Sequence, residues 1–598
     1  MNPFTTRPEI VGTFGVVAST HWLASSAGMR ILELGGNAFD AAVAAGLTLQ
    51  VVEPHLNGPA GEVPILISAA NSEKVQVICG QGVAPMSAHA SYFKDLGLSL
   101  MPGTGLLPAV VPGAFDAWMI MLRDYGTFDL STVAEPAISY AESGYPLLPA
   151  ISAVIEQMQD LFSSHWQTSA EVYLKNGVPQ AGALFRNPKL ANTYRRLLSD
   201  AKNAGGSREN QIDAARDSWY KGFVAEAIDN FCSNNSVLDT SGHHHKGLLC
   251  GEDLARWHAT IEEPLKYDYQ NYTICKTGPW GQGPVALQHL ALLNQFDLSE
   301  LNFDDPEHIH LLIETSKLAF ADREAFYGDP DFLDVPMDTL LSVEYNTSRK
   351  LLIDDHASLL LRPGQIQGFD RQPVVPVDDM SPTETPGDGE PTMSSATDVM
   401  TMGERRGDTC HLDVIDRWGN MVSATPSGGW LSSSPVIPEL GFPLTTRGQM
   451  FWLDENAAAC IEPGKRPRTT LTPSLALRDG KPYMAFGTPG GDQQDQWSLH
   501  VFLKHIHCGM NLQAAIDSPD FHSNHFPSSF YPRKSHPGVV TMEGRYSSTV
   551  IKELRRRGHQ VEVEGDWSLG RCSAAVRDGN LLRAAANPRA MQGYAVGR

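Results

Sequence analysis

An α/β fold is predicted by three observations: short β-branched runs alternate with small-residue helical runs near the start, helical periodicity dominates the middle, and strand signals return after about residue 409. Residues 10–19 (IVGTFGVVAS) read as a strand, and 25–34 as an amphipathic helix closed by Gly35-Gly36. The alanines of 40–52 predict a tightly packed helix, and periodic apolar positions predict helices around 190–198, 285–294 and 308–326. Residues 234–247 (NNSVLDTSGHHHKG) read as a polar loop whose adjacent histidines lack the spacing of a tetrahedral site, so no metal is expected there. A compositional break follows at about 371–408, rich in Pro, Gly, Ser, Thr and acidic residues, and predicts an exposed flexible segment. Beyond it, 410–416 and 420–425 read as a hairpin turning at Arg417-Trp418-Gly419. Strands are expected at 474–477, 483–486, 561–563 and 574–576, and helices at 497–507 and 548–557. No internal repeat is visible.

The 598 residues, 42% hydrophobic and 19% charged, suffice for a large layered body or several domains. A formal net charge of -22 excludes the function classes that grip phosphate with clustered Lys and Arg, namely nucleic-acid and anionic-membrane binding. The first residues show no basic segment followed by an apolar run, and the longest apolar stretch, 106–122, is broken by Pro108, Pro112, Gly113 and Asp116. Eight scattered cysteines form no C-x-x-C pair. A cytoplasmic protein with reduced thiols is the simplest expectation.

Thr409 stands where the flexible segment meets the first strand of the hairpin. A threonine hydroxyl needs a base to become nucleophilic, and the α-amino group of an N-terminal threonine, with a reference pKa of roughly 7.7–8.0, can be that base. Such chemistry requires a chain break between Asp408 and Thr409. By its local context alone, Thr409 reads as a cap or turn residue.

Several motifs in order resolve that ambiguity: GGNAFDAAVAAGLTLQVVEPH (35–55), AFADREAFYGDPDF (319–332), DTCHLDVIDRWGNMVS (408–423), PGKRPRTTLTPSLALRDGKP (463–482), GTPGGDQQDQ (487–496) and NPRAMQGYA (587–595). Together they resemble the γ-glutamyltransferase family of N-terminal-nucleophile hydrolases over nearly the whole chain. The resemblance implies a four-layered αββα sandwich, cofactor-free acyl transfer from a small-molecule amide, and self-cleavage into a large subunit 1–408 and a small subunit 409–598. It implies Thr409 as the nucleophile, with the backbone N–H groups of Gly490 and Gly491 as the oxyanion hole.

Departures from the family pattern concern the substrate. Gln81, in GQGVAP (80–85), stands where the resemblance implies an arginine that clamps the donor's α-carboxylate. The positions implied to hold its α-amino group carry Gly429, Gln449 and Trp452; Thr469 and Thr470 replace paired serines, and Ser427 a second threonine near the nucleophile. Pro59 and Glu62 enter a glycine-rich run and are expected to reshape the pocket floor. Phe451 and Trp452 read either as an apolar acyl contact or as core. Arg447, Lys465, Arg466 and Arg468 read either as a relocated carboxylate clamp or as structural pairs. Cys410 is expected on the strand face opposite Thr409. The expected activity is therefore amide hydrolysis or acyl transfer from a donor other than a standard γ-glutamyl compound. The alternatives are glutathione hydrolysis with γ-glutamyl transfer and, in another class, an uncleaved inactive binding protein.

Overall fold

The computed structural model describes residues 4–72, 74–375 and 409–598. Asp408 and the acidic segment from residue 376 onward lie outside the described residues.

Two seven-stranded antiparallel sheets pack face to face. The first runs, in spatial order, Ile10–Gly12, Leu581–Ala586, Ser573–Asp578, Lys481–Gly487, Ser474–Arg478, Tyr272–Lys276 and Leu265–Tyr269. The second runs Tyr594–Gly597, Gly15–Ser19, Leu412–Asp416, Met421–Ala424, Val63–Ser68, Val75–Gly80 and Thr260–Glu262. Side-chain alternation divides each strand between two layers. Val17, Leu412 and Val414 join the core beneath the helices Trp22–Glu33, Ala38–Val52 and Ala114–Tyr125, whereas Val16, Ala18 and Ile415 meet Leu475, Ala485 and Ala584 between the sheets. On the far side Ile274, Met484 and Phe486 pack under Pro284–Leu293, Pro306–Phe326 and Gln494–Ile506. The result is the expected αββα sandwich.

Small residues set how closely these layers approach. Asn37 and Asp40 form a capping box on Ala38–Val52, and a Cβ on Gly46 of that helix would lie 2.4 Å from the buried ring of Trp118. The alanines thus serve close packing, as expected.

Two local readings are corrected. The run 10–19 is two strands in different sheets, because the N–H groups of Thr13 and Phe14 turn to the carbonyl of Arg598 (3.1 and 2.6 Å) and break the ladder. The polar loop at 234–247 contains a two-stranded pairing of Val237–Leu238 with His244–His245, closed by His245 Nδ1 against Asp239 Oδ2 at 2.7 Å. Among the described residues no helix is long and apolar enough to cross a membrane, and the eight cysteines are unbridged.

Both sheets interleave strands from before and after residue 409, so cleavage there would leave two pieces sharing one core. Buried ion pairs lock the second half to itself. Asp520 lies 2.7 Å from His500 Nδ1 and 3.5 Å from Lys504 Nζ. Burial works against its charge, but Lys504 and His500 outweigh burial and hold its pKa at about 2. A folded pKa below the unfolded value contributes stability above the unfolded pKa, lost as pH falls through the folded one. Asp520→Asn is expected to lower stability at pH 7 by about 2 kcal/mol from the charge effect alone and to flatten the acid limb between about pH 4 and 2. Urea unfolding midpoints across that range test this.

Candidate active site

Thr409 is fully buried at the head of the central strand Leu412–Asp416. An isolated antiparallel bridge pairs it with Ser427, continuing the hairpin ladder, and the Thr409 hydroxyl faces Ser427 Oγ at 3.4 Å. Cys410 points the other way, into the helix-side core, as alternation requires. Its thiol donates to Glu53 Oε2 at 2.9 Å, and burial together with the Glu53 charge raises its pKa well above the ordinary value. Its burial on the strand face opposite Thr409 argues against a cysteine nucleophile.

Ser427 is held from two sides. Its backbone exchanges hydrogen bonds with that of Glu62 (2.9 and 3.0 Å), and its Oγ accepts from Arg447 Nη2 at 2.7 Å. Arg447 Nε pairs with the Glu62 carboxylate, which also accepts from Thr445 Oγ1 at 2.8 Å, and all of these groups are fully buried. The segments at 57–62 and 427–429 approach so closely that a Cβ on Gly58 would lie 2.1 Å from the Gly429 carbonyl oxygen. Gly429 itself takes φ +64°, a left-handed conformation suited to glycine. Glu62 is thus a structural anchor under Ser427, a role its place in the sequence did not reveal.

The other sheet delivers a sharp turn to the same end of the sandwich. Strand Lys481–Gly487 finishes where a Cβ on Gly487 would strike the ring of His411 at 2.3 Å, two residues from Thr409. His411 is fixed by Thr425 Oγ1 (2.8 Å) and Asp413 Oδ1 (3.0 Å), a buried pairing that sequence reading missed. Gly490 (φ +135°) and Gly491 (φ +52°) then reverse the chain into the helix Gln494–Ile506. A Cβ on Gly490 would sit 2.3 Å from the Trp497 ring, so a side chain is excluded there. Asp492 braces the turn by accepting from Ser529 N (2.8 Å) and Ser529 Oγ (2.6 Å) and pairing with Arg323. Burial opposes the Asp492 charge, yet Arg323 and Ser529 hold its pKa below the usual carboxylate range. Gln282 Nε2 reaches the Gly491 and Asp492 carbonyls, both at 3.4 Å, and its backbone N–H donates to Thr469 O at 2.9 Å.

A family model described as Gamma-glutamyltranspeptidase matches residues 24–597. The chain belongs to the gamma-glutamyltranspeptidase family. Among curated relatives of this family, the glutathione hydrolase-like YwrD proenzyme of Bacillus subtilis (strain 168) is 30% identical, with 98% of this chain and 99% of the relative covered. The oxamate amidohydrolase proenzyme of Klebsiella pneumoniae is also 30% identical, again over 98% and 99%. A solved structure of LmbA2991 is 54% identical, covers 100% of both chains and superimposes with a TM-score of 0.92.

The remaining positions expected to matter in this gamma-glutamyltranspeptidase family member lie on separate segments. Gln449 and Trp452 sit on and just after the short turn Arg447–Met450 that carries Arg447. Gln449 accepts from Tyr531 N (3.2 Å) and donates to Gly103 O (3.3 Å). Trp452 packs with Leu100, Ala457 and Cys460, while the Arg533 guanidinium stacks 4.1 Å from its ring centroid. Thr469 and Thr470 are buried beside Gln282, and among the described residues Thr470 Oγ1 has no hydrogen-bond partner. Gln81 lies apart from Thr409 in hydrogen-bonding terms: its amide donates to the neighbouring Gly82 carbonyl at 3.1 Å, and its Oε1 has no partner among the described residues. Asp408, on the other side of the expected cleavage bond, lies outside the described residues.

The apolar and basic candidates resolve as pairs or core. Phe451 packs with Ala84, Phe93 and Leu453. Lys465 pairs with Glu462, Arg466 with Asp329 and Glu262, and Arg468 with Glu324. Arg447 is likewise committed, to Glu62 and Ser427. Among the described residues one grouping of metal-type donors stands out, His310, Glu314 and His559. His310 Nδ1 and His559 Nε2 lie 2.8 Å apart, and Glu314 already pairs with Lys317 and Arg362, so hydrogen bonds and ion pairs account for these donors.

Proposed function

We propose that the chain is the precursor of an amidohydrolase or acylase in which Thr409, exposed as an N-terminus by cleavage after Asp408, attacks the amide carbonyl of a small acyl donor other than a γ-glutamyl compound. The observation that carries this reading is the buried chain of hydrogen bonds Thr409 Oγ1–Ser427 Oγ–Arg447, at the head of a strand where the His411 ring meets Gly487, three residues before the glycine turn at 490–491. The 1–408 piece would become the large subunit and the 409–598 piece the small one.

In this mechanism the new α-amino group takes the Thr409 hydroxyl proton as Oγ1 attacks, and later delivers it to the departing amine. Ser427 Oγ, oriented by Arg447, orients the Thr409 hydroxyl. The N–H groups of Gly490 and Gly491 receive the charge that develops on the carbonyl oxygen, and Asp492 and Gln282 keep that turn from moving during reaction. Water then resolves the acyl-enzyme, or an amine does so in transfer.

A donor other than γ-glutamyl is supported by chemistry at three positions. Gln81 offers no charge to an α-carboxylate, Gly429 has no side chain, and Trp452 gives an α-ammonium group only an apolar ring already stacked on a cation. Losing two charge-assisted hydrogen bonds of roughly 1.5–3 kcal/mol each weakens γ-glutamyl binding by several orders of magnitude. The similarity to an oxamate amidohydrolase proenzyme points to short amides as the class to try. Release of p-nitroaniline from the γ-glutamyl anilide is expected to be at least about 100-fold slower, in kcat/KM, than ammonia release from the best of a panel of short amides. Robust turnover of the anilide instead would favour glutathione hydrolysis, the activity named in other relatives.

A further inference from the structure

Arg533 belongs to a loop that touches both halves of the candidate site. Ser529 in this loop braces Asp492 beside the glycine turn, and the Phe530 ring lies 5.7 Å from the guanidinium of Arg447, which binds Ser427. Tyr531 N donates to Gln449 Oε1 at 3.2 Å. Arg533 closes the loop with φ +61°, its Nη2 donating to the carbonyls of Gln449 and Phe451, both at 3.0 Å.

Arg533 is almost completely buried, with 1% of its surface exposed, and among the described residues Nη1 has no hydrogen-bond partner. Among the described residues no carboxylate lies within ion-pair distance of it. Its charged surroundings are Arg468 and Arg323, which repel it, and Glu324 and Asp492, which attract it; those two carboxylates are already engaged by Arg323 and Arg468. Three guanidinium charges therefore face two carboxylates. Burial, followed by the repulsion of Arg468, depresses the pKa of Arg533 to about 9. A buried cation without a counter-charge is unfavourable unless an anion completes it. Buried polar groups of this kind call for a partner.

We propose that Arg533 Nη1 binds a free carboxylate on the acyl donor, at the end away from the bond that is cleaved, with Trp452 flanking that group. This rests on the reading of the chain as a short-amide hydrolase and narrows its substrates to half-amides of dicarboxylic acids. The surplus positive charge disfavours the α-ammonium of a γ-glutamyl group and favours an anion in its place.

The test pairs half-amides with their neutral diamides: oxamate with oxamide, and succinamate with succinamide. Binding to the processed wild-type protein is measured by calorimetry, and hydrolysis by ammonia release. The wild type is expected to bind the better half-amide about 10- to 150-fold more tightly than its diamide, the range of one charge-assisted hydrogen bond. In Arg533→Gln this preference should collapse to within about threefold, with the change in KM rather than kcat, and Arg533→Lys should restore part of it. No preference in the wild type overturns the proposal even if the variants fail to fold, and so does a preference that survives in Arg533→Gln. Binding of half-amides without any amide hydrolysis would leave the Arg533 assignment standing and remove the short-amide hydrolase reading.

Discussion

Thr409→Ala is expected to yield a single uncleaved chain with hydrolysis reduced by on the order of 10⁴- to 10⁶-fold, the scale on which nucleophile removal acts in other acyl-transfer enzymes. In the proposed mechanism one hydroxyl would serve twice: in the precursor it would attack the carbonyl of Asp408, an N-to-O acyl shift would form an ester and water would release the new terminus, and in the mature protein it would attack the substrate. Denaturing electrophoresis and intact mass should show pieces of 408 and 190 residues for the wild type, the smaller beginning TCHLDV, and neither for the variant. Thr409→Ser, which keeps a hydroxyl, should process slowly and retain measurable activity. Scission of Thr409→Ala at the same bond would remove Thr409 from the first step. An intact wild-type chain would favour an uncleaved binding protein.

Arg447→Met is expected to have the next largest effect, on stability and processing together. It leaves the fully buried Glu62 carboxylate without its cation, a change that typically costs about 3–5 kcal/mol. It also removes the 2.7 Å hydrogen bond that orients Ser427 Oγ toward Thr409, so cleavage of the folded fraction should slow by about 10- to 150-fold. Combining it with Glu62→Leu removes the orphaned charge and should recover most of the stability while leaving processing slow, because the hydrogen bond to Ser427 is still missing. Thermal unfolding and a time course of chain cleavage separate the two effects. Equal recovery of both by the second substitution would mean that Arg447 acts only as the counter-charge of Glu62.

Much of the architecture was legible because it is written in local periodicity. The alternation in 412–416 and 421–424 and the apolar repeats of 306–326 place those elements within a few residues, whereas the strands Val63–Ser68, Val75–Gly80, Tyr272–Lys276 and Leu581–Ala586 and the helix Ala114–Tyr125 were not foreseen. Thr409 was legible as a loop-to-strand junction, and the ordered motifs singled it out from other threonines. The break at 13–14 was not legible, since the acceptor that interrupts the ladder is the carbonyl of Arg598, at the other end of the chain. Nor was the role of Glu62, whose partners lie 365 to 385 positions away.

By itself, the sequence determined the α/β class and the loop-to-strand junction at Thr409, and its resemblance to the family implied the layered sandwich and marked Gln81, Gly429 and Trp452 as departures from the family pattern. Tertiary structure alone decided which charges are spoken for. Of the basic residues that could have served as a carboxylate clamp, Arg447, Lys465, Arg466 and Arg468 are each paired with a carboxylate, whereas Arg533, which no motif marks, is a buried cation whose Nη1 has no partner among the described residues. Backbone hydrogen bonding repeats over a few residues and shows in local pattern. Charge compensation depends on groups brought within about 4 Å by the fold from positions hundreds of residues apart, and no local pattern carries that information.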